Sequence, residues 1–94
     1  MSDSDCHSRR LIYHGRVQGV GFRMTVRRVA GRFAVEGFVR NLADGTVELV
    51  ARGSGEEIDR FFSAVSEAMS GYIVGVDETD PGSEHIPSRF EIRS

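Results

Sequence analysis

GRVQGVGFR, residues 15–23, sets three glycines and two arginines between a run that reads as a β-strand and one that reads as a helix. The preceding RLIYH, residues 10–14, is apolar and aromatic and stops at Gly15, the pattern of a short buried strand. Beyond the loop, Phe22, Val26, Val29, Ala30 and Phe33 follow the first of them at intervals of 4, 7, 8 and 11, one face of a helix. Arg27, Arg28 and Arg32 fall on the other face, where solvation accounts for them. Gly31 weakens the end of this helix by about 1 kcal/mol relative to alanine and is expected to help close it.

The rest of the chain extends the pattern. VEGFVRN (35–41) reads as a second strand, although its central glycine leaves the facing ambiguous. LADGT follows with Asp44-Gly45 as the hairpin signal, and TVELVAR (46–52) alternates Val47, Leu49 and Ala51 with Thr46, Glu48 and Arg52. That period predicts a half-buried third strand. Ser54 and Glu57 have the spacing of a capping box, and Ile58, Phe61, Phe62, Val65 and Met69 recur as one helical face, so these aromatics belong to the core. GYIVGVDE (71–78) is a fourth strand and RFEIR (89–93) a short last one, separated by a break at Asp80, Pro81, Gly82 and Ser83.

Strand, helix, strand, strand, helix, strand is the order of an α+β, ferredoxin-like sandwich (βαββαβ): an antiparallel sheet, two helices on one face, and here a short extra C-terminal strand. A strand-helix-strand crossover joins parallel strands, so the first two strands run parallel with the third inserted between them. Their C-terminal ends then share one edge. Gly15 to Arg23 and Arg40-Asn41 are expected to meet there.

Ninety-four residues suit one small domain burying little more than ~60% of its unfolded surface. A flexible tail over residues 1–8 and a single domain over 9–94 are expected. With 39% hydrophobic and 28% charged residues the composition is that of a globular chain. No apolar run could span a bilayer, MSDSDCHSRR lacks the core of a signal peptide, and Cys6 has no second cysteine to pair with, so a cytoplasmic protein is expected. All 12 basic residues are arginine, which excludes lysine chemistry. A net charge of −2 argues against a phosphate-coating nucleic-acid binder, although eight arginines cluster between Arg9 and Arg40.

The loop itself offers anion chemistry. Its glycines permit positive φ, so successive N–H groups can converge as a nest, and the next helix adds unpaired N–H groups and the positive end of its dipole. Arg23 lies in that first turn with a fork suited to a phosphate or carboxylate, whereas Arg16 reads as a solvated charge. The spacing matches neither the Walker nor the dinucleotide fingerprint, and taken alone it equally describes a tight turn. Asn41 on the same edge favours the nest, because a neutral amide can orient water without being consumed. His14, His7 and His85 are not placed as general bases, and no His, Cys, Asp or Glu cluster has metal-ligand spacing. Such a site suits a substrate with a good leaving group, such as an acyl phosphate.

GRVQGVGFR together with GFVRNLADGTVE (37–48) resembles the two signature blocks of the acylphosphatase family, closely from Arg10 to Phe62, and the closing FEIR is similar to that family's last strand. The resemblance implies a hydrolase that converts acyl phosphates to a carboxylate and inorganic phosphate without metal or cofactor. It implies that Arg23 binds the substrate phosphate, that Asn41 positions the attacking water, and that the amides of Val17, Gln18, Gly19 and Val20 form the cradle. SGYIVGVDE departs from the Gly-Pro-Pro-x-Ala stretch of many relatives, where no catalytic residue maps. The partner implied is a small acyl phosphate and the simplest assembly a monomer, with no membrane or nucleic-acid partner. Two other readings are an accessory domain binding acyl or carbamoyl phosphate, as in hydrogenase-maturation carbamoyltransferases, and an RNA-binding module. The chain's end soon after the domain favours a free-standing enzyme over the first. TVELVAR lacks the aromatics the second requires, and Phe38 is a poor substitute.

Overall fold

In the computed structural model, which describes residues 6–93, the order is β1 (Cys6–Gly15), α1 (Phe22–Ala30), β2 (Val35–Asn41), β3 (Val47–Ser54), α2 (Gly55–Ala68), β4 (Ile73–Thr79) and β5 (Glu91–Arg93). The five strands form one sheet in the order β4-β1-β3-β2-β5. As the crossover rule requires, β3 lies antiparallel between β1 and β2, with Tyr13 opposite Val47 and Asn41 opposite the same residue on the other side. The expected antiparallel sheet is extended at one edge by the short extra C-terminal strand. There β5 runs parallel to β2, pairing Val39 with Ile92, so the sheet is mixed. The connection back from β4 crosses the sheet to its far edge, a long-range step that periodicity does not encode.

Both helices cover one face. Phe22, Val26, Val29 and Ala30 of α1 and Ile58, Phe61, Phe62 and Val65 of α2 pack on Leu11, Tyr13, Val39, Val47, Leu49 and Ala51 of the sheet. Each large side chain so buried contributes about 1.5–3 kcal/mol relative to exposure. Phe33 lies beyond the end of α1 and still joins this layer, with its ring 6.1 Å from that of Phe61. Gly31 closes α1 with φ of −63°, so the helix ends without a left-handed residue.

Three local expectations are modified. β1 starts at Cys6, so residues 6–8, expected in the tail, pair with Ser54 to Arg52. Backbone pairing carries the strand through a polar stretch in which hydrophobic alternation gives no signal. Residues 1–5 of that tail lie outside the described residues. At the start of α2 the Ser54 hydroxyl accepts from the Glu57 N–H at 3.1 Å, but the Glu57 carboxylate accepts from Ala34 N–H at 2.8 Å instead of reaching back. Half of the capping box is therefore spent on docking the α1–β2 connection.

The third strand is not half-buried. Glu48 and Val50 on the helix-free face are 2% exposed each, like their neighbours on the core face. Arg10 and Arg40, flanking Glu48 on β1 and β2, each donate through Nε to its carboxylate at 2.5 Å. Arg40 continues to Glu84, and Arg93 joins Glu84 from β5. Phe38 lies beneath this layer, with the Arg93 guanidinium 4.1 Å from its ring centre. Charged side chains close over Phe38, so among the described residues it is not free to serve as an aromatic platform.

Candidate active site

The ends of β1 and β2 lie on one edge, and the loop that leaves β1 is built by backbone geometry. Gly15 takes φ of +127° where β1 and β4 shift register, and Arg16 N–H donates to Tyr72 O at 2.9 Å. Gly19 and Gly21 take φ of +76° and +79°, the left-handed region that favours glycine, and Gly21 is the N-cap of α1. A helix N-terminus carries unpaired N–H groups and partial positive charge. In α2 this end is capped by Ser54 and bears Glu56 and Glu57 in its first turn; in α1 there is neither a side-chain cap nor an acidic residue. Within α1 the first backbone bond is Thr25 N–H to Gly21 O, 3.0 Å. The N-terminal end of α1 is thus open to an anion.

A small depression of about 90 Å³ lies at this end, lined by Val17, Gly19, Gly21, Phe22, Arg23, Met24 and Asn41. Its volume is that of roughly three liquid waters, at about 30 Å³ each, which suits a small anion and not a nucleotide. Arg23 is half-buried, with no hydrogen-bond or ion-pair partner among the described residues. Arg27 and Arg28 are exposed in the last turn of α1, where they complement the negative end of its dipole, and Arg16 is exposed. Asn41 ends β2, and its Oδ1 is buried without a hydrogen-bond partner among the described residues. Such an orphaned acceptor costs about 1–3 kcal/mol.

Of the residues expected here, Val17, Gly19, Arg23 and Asn41 line the depression together. The side chains of Gln18 and Val20 point elsewhere, Val20 packing against the core and Gln18 reaching the β2–β3 hairpin, so only their backbone N–H groups, the part the resemblance invokes, bear on a cradle. Arg40, expected beside Asn41 at this edge, points to the opposite face and pairs with Glu48 and Glu84. Successive residues of a strand alternate faces, so the two neighbours could not both reach the loop. His14 lies outside the depression, 2.7 Å from the Asp77 carboxylate. The linings from Phe22 and Met24 were not singled out in the sequence, where helical spacing marks Phe22 as core and Met24 carries no signal.

Broader grooves of about 400 and 420 Å³ lie elsewhere, one beside Phe33, Ala34 and Arg52 and the other along α2 at Asp59 and Glu67. Their arginines are already paired, Arg52 with Glu36 and Arg60 with Glu56. Among the described residues no three His, Cys, Asp or Glu side chains gather as a metal site, and no helix is long and apolar enough to cross a membrane.

The profile described as Acylphosphatase matches residues 9–92, nearly the whole chain. The chain belongs to the acylphosphatase family. It is 43% identical to the acylphosphatase of Methanospirillum hungatei over 63 residues, 67% of this chain and 69% of that one. With the acylphosphatase of Cupriavidus necator it shares 36% identity over 84 residues, 89% of this chain and 90% of the other. The crystal structure of acylphosphatase from Bacillus subtilis superposes with a TM-score of 0.77 at 33% identity, covering 93% of this chain and 98% of that one. Family membership thus accounts for the five-stranded sheet and both helices. The SGYIVGVDE stretch supplies most of β4 and, just before it, the Tyr72 carbonyl that anchors the start of the loop.

Proposed function

We propose that the depression binds the phosphoryl group of an acyl phosphate and hydrolyses it, releasing a carboxylate and inorganic phosphate without a metal or cofactor. The observation that carries this reading is the pairing of Asn41 Oδ1, buried and unpartnered, with an uncapped helix end bearing an unpaired Arg23 in the same small depression. The N–H groups of the loop from Val17 to Val20, with the Arg23 guanidinium, hold the phosphoryl oxygens and neutralise charge as it spreads over them in a loose transition state. Asn41 Oδ1 accepts a hydrogen bond from water and holds it for in-line attack. The water oxygen bonds to phosphorus as the bond to the acyl oxygen breaks. The carboxylate leaves as an anion needing no acid, and the second water proton passes to a phosphate oxygen, so a dianionic acyl phosphate and water yield a carboxylate and dihydrogen phosphate. The reading takes the enzyme to be a cytoplasmic monomer with a small-molecule substrate and no nucleic-acid partner.

The test is phosphate release from benzoyl phosphate in the presence of EDTA. Arg23→Ala is expected to lower kcat/KM by about 10²–10³ with a raised KM, the scale of losing one preorganised donor to developing charge. Asn41→Ala is expected to act on kcat with little change in KM. Folded variants that retain the unmutated rate, or activity that requires an added metal, would overturn the proposal.

A further inference from the structure

The Gln18 side chain is a bridge between the two halves of the site. Its Nε2 donates to Leu42 O and to Thr46 O, each at 2.8 Å, across the gap between the loop and the β2–β3 hairpin. Gln18 sits between Val17 and Gly19, which line the depression, and Leu42 follows Asn41 directly. The tether therefore starts within the proposed anion cradle on one side and ends one residue from the water-holding amide on the other.

The hairpin does not need these bonds to close. Leu42 N–H already donates to Thr46 O at 2.9 Å, and Gly45 N–H to Leu42 O at 3.2 Å. The Asp44 carboxylate further accepts from the Thr46 N–H and hydroxyl, at 3.0 and 2.6 Å. A carbonyl oxygen has two lone pairs, so Gln18 occupies the second on each, and its loss leaves neither carbonyl unpartnered. What the side chain adds is a fixed distance between loop and hairpin.

We infer that Gln18 is a positioning residue, whose side chain sets Asn41 against the phosphate loop and so aligns water with phosphorus. The inference rests on the hydrolytic reading above. It has a distinctive kinetic consequence, because phosphate is held by the loop and α1 alone whereas in-line attack needs both halves in register. Loosening the tether should spare phosphate binding and damage turnover, as small misplacements of reacting groups do.

The experiment compares Gln18→Met, of the same length but without donors, with the unmutated enzyme. Benzoyl phosphate reports turnover and inorganic phosphate, as a competitive inhibitor, reports binding. The kcat should fall by about 10- to 100-fold while the inhibition constant of phosphate changes by less than about threefold. The unfolding temperature should drop by no more than about 8 °C, the effect of one weak interaction in a domain of this size. In an Asn41→Ala background the same change should cost less than about threefold in kcat, since the group being positioned is gone. Should Gln18→Met not fold, Gln18→Asn, which keeps the amide but withdraws it by one methylene, carries the same expectations. An unchanged kcat, a full loss in the Asn41→Ala background, or a phosphate constant weakened as much as kcat would each overturn the inference. Arg23→Ala run alongside separates the two levels: if it retains full activity the hydrolytic reading itself fails, and if it is impaired while Gln18→Met is not, only the role of Gln18 fails.

Discussion

Replacing Gly15 and Gly19 separately by alanine distinguishes two reasons for a glycine within one loop. Both residues have positive φ, +127° and +76°, so alanine at either is strained. Their surroundings differ. A Cβ on Gly15 would lie 2.4 Å from Tyr72 O and 2.7 Å from Val74 N, both backbone atoms of the segment entering β4, whereas a Cβ on Gly19 would meet nothing within 4 Å. For Gly19→Ala only the dihedral penalty remains, about 1–2 kcal/mol, partly offset by about 0.4–1 kcal/mol from a less flexible unfolded chain. Gly15→Ala adds the overpacking of two backbone segments that cannot rotate away, so its strain of about 1–3 kcal/mol is joined by a further 1–3 kcal/mol, near 4 in all. At roughly 4–8 °C per kcal/mol for a domain of this size, Gly15→Ala should lower the unfolding temperature by about 15–30 °C and Gly19→Ala by less than about 13 °C. Thermal unfolding followed by circular dichroism reads both. Equal shifts for the two variants, or a loss below about 1 kcal/mol for Gly15→Ala, would refute the claim that β4 packs against the start of the loop as described.

Two further outcomes follow from the charged groups. Glu48 is almost wholly buried between Arg10 and Arg40, while the two arginines keep about a quarter of their side-chain surface in water. Glu48→Ala should therefore cost about 2 kcal/mol, below the 3–5 of a fully enclosed pair, and a shift in denaturant midpoint equivalent to less than 0.5 would show the network to be dispensable. Glu78 titrates below the ordinary carboxylate range through its hydrogen bond and charge attraction to Arg9, and Asp44 does so through the hydroxyl and N–H of Thr46. Because both folded values lie below the unfolded ones, this stabilisation is full above the unfolded range near pH 4 and drains away as pH falls through the depressed values. Unfolding temperatures measured from pH 6 to 2.5 should fall on the acid side, and less steeply in Glu78→Gln; a profile unchanged by that substitution would remove Glu78 from the account.

Much of this architecture is local and so was legible in the residues. The 3.6 spacing from Phe22 to Ala30 and the alternation around Leu49 report periods that backbone geometry imposes on a helix and a strand, and Asp44-Gly45 marks the turn whose positive φ glycine supplies. The crossover rule then carried the inference from elements to edge, and Asn41 and Arg23 do share one depression. The polar start of β1 was not legible, because a strand held by backbone pairing to β3 has no need of apolar residues there.

What only the tertiary structure decided concerns pairings between distant segments. The sequence determined that Gly15 to Arg23 forms a glycine-bearing turn into a helix with an arginine in its first turn. It could not determine that Arg40 turns away to Glu48, that Phe38 is roofed by Arg93, or that β5 adds in parallel beside β2. Nor could it determine that the Gln18 amide reaches two carbonyls 24 and 28 residues further along the chain. The physical reason is common to all four: propensity and periodicity act over a few residues, whereas the direction of a side chain and the partner of a buried polar group are settled by which distant strands the sheet brings together.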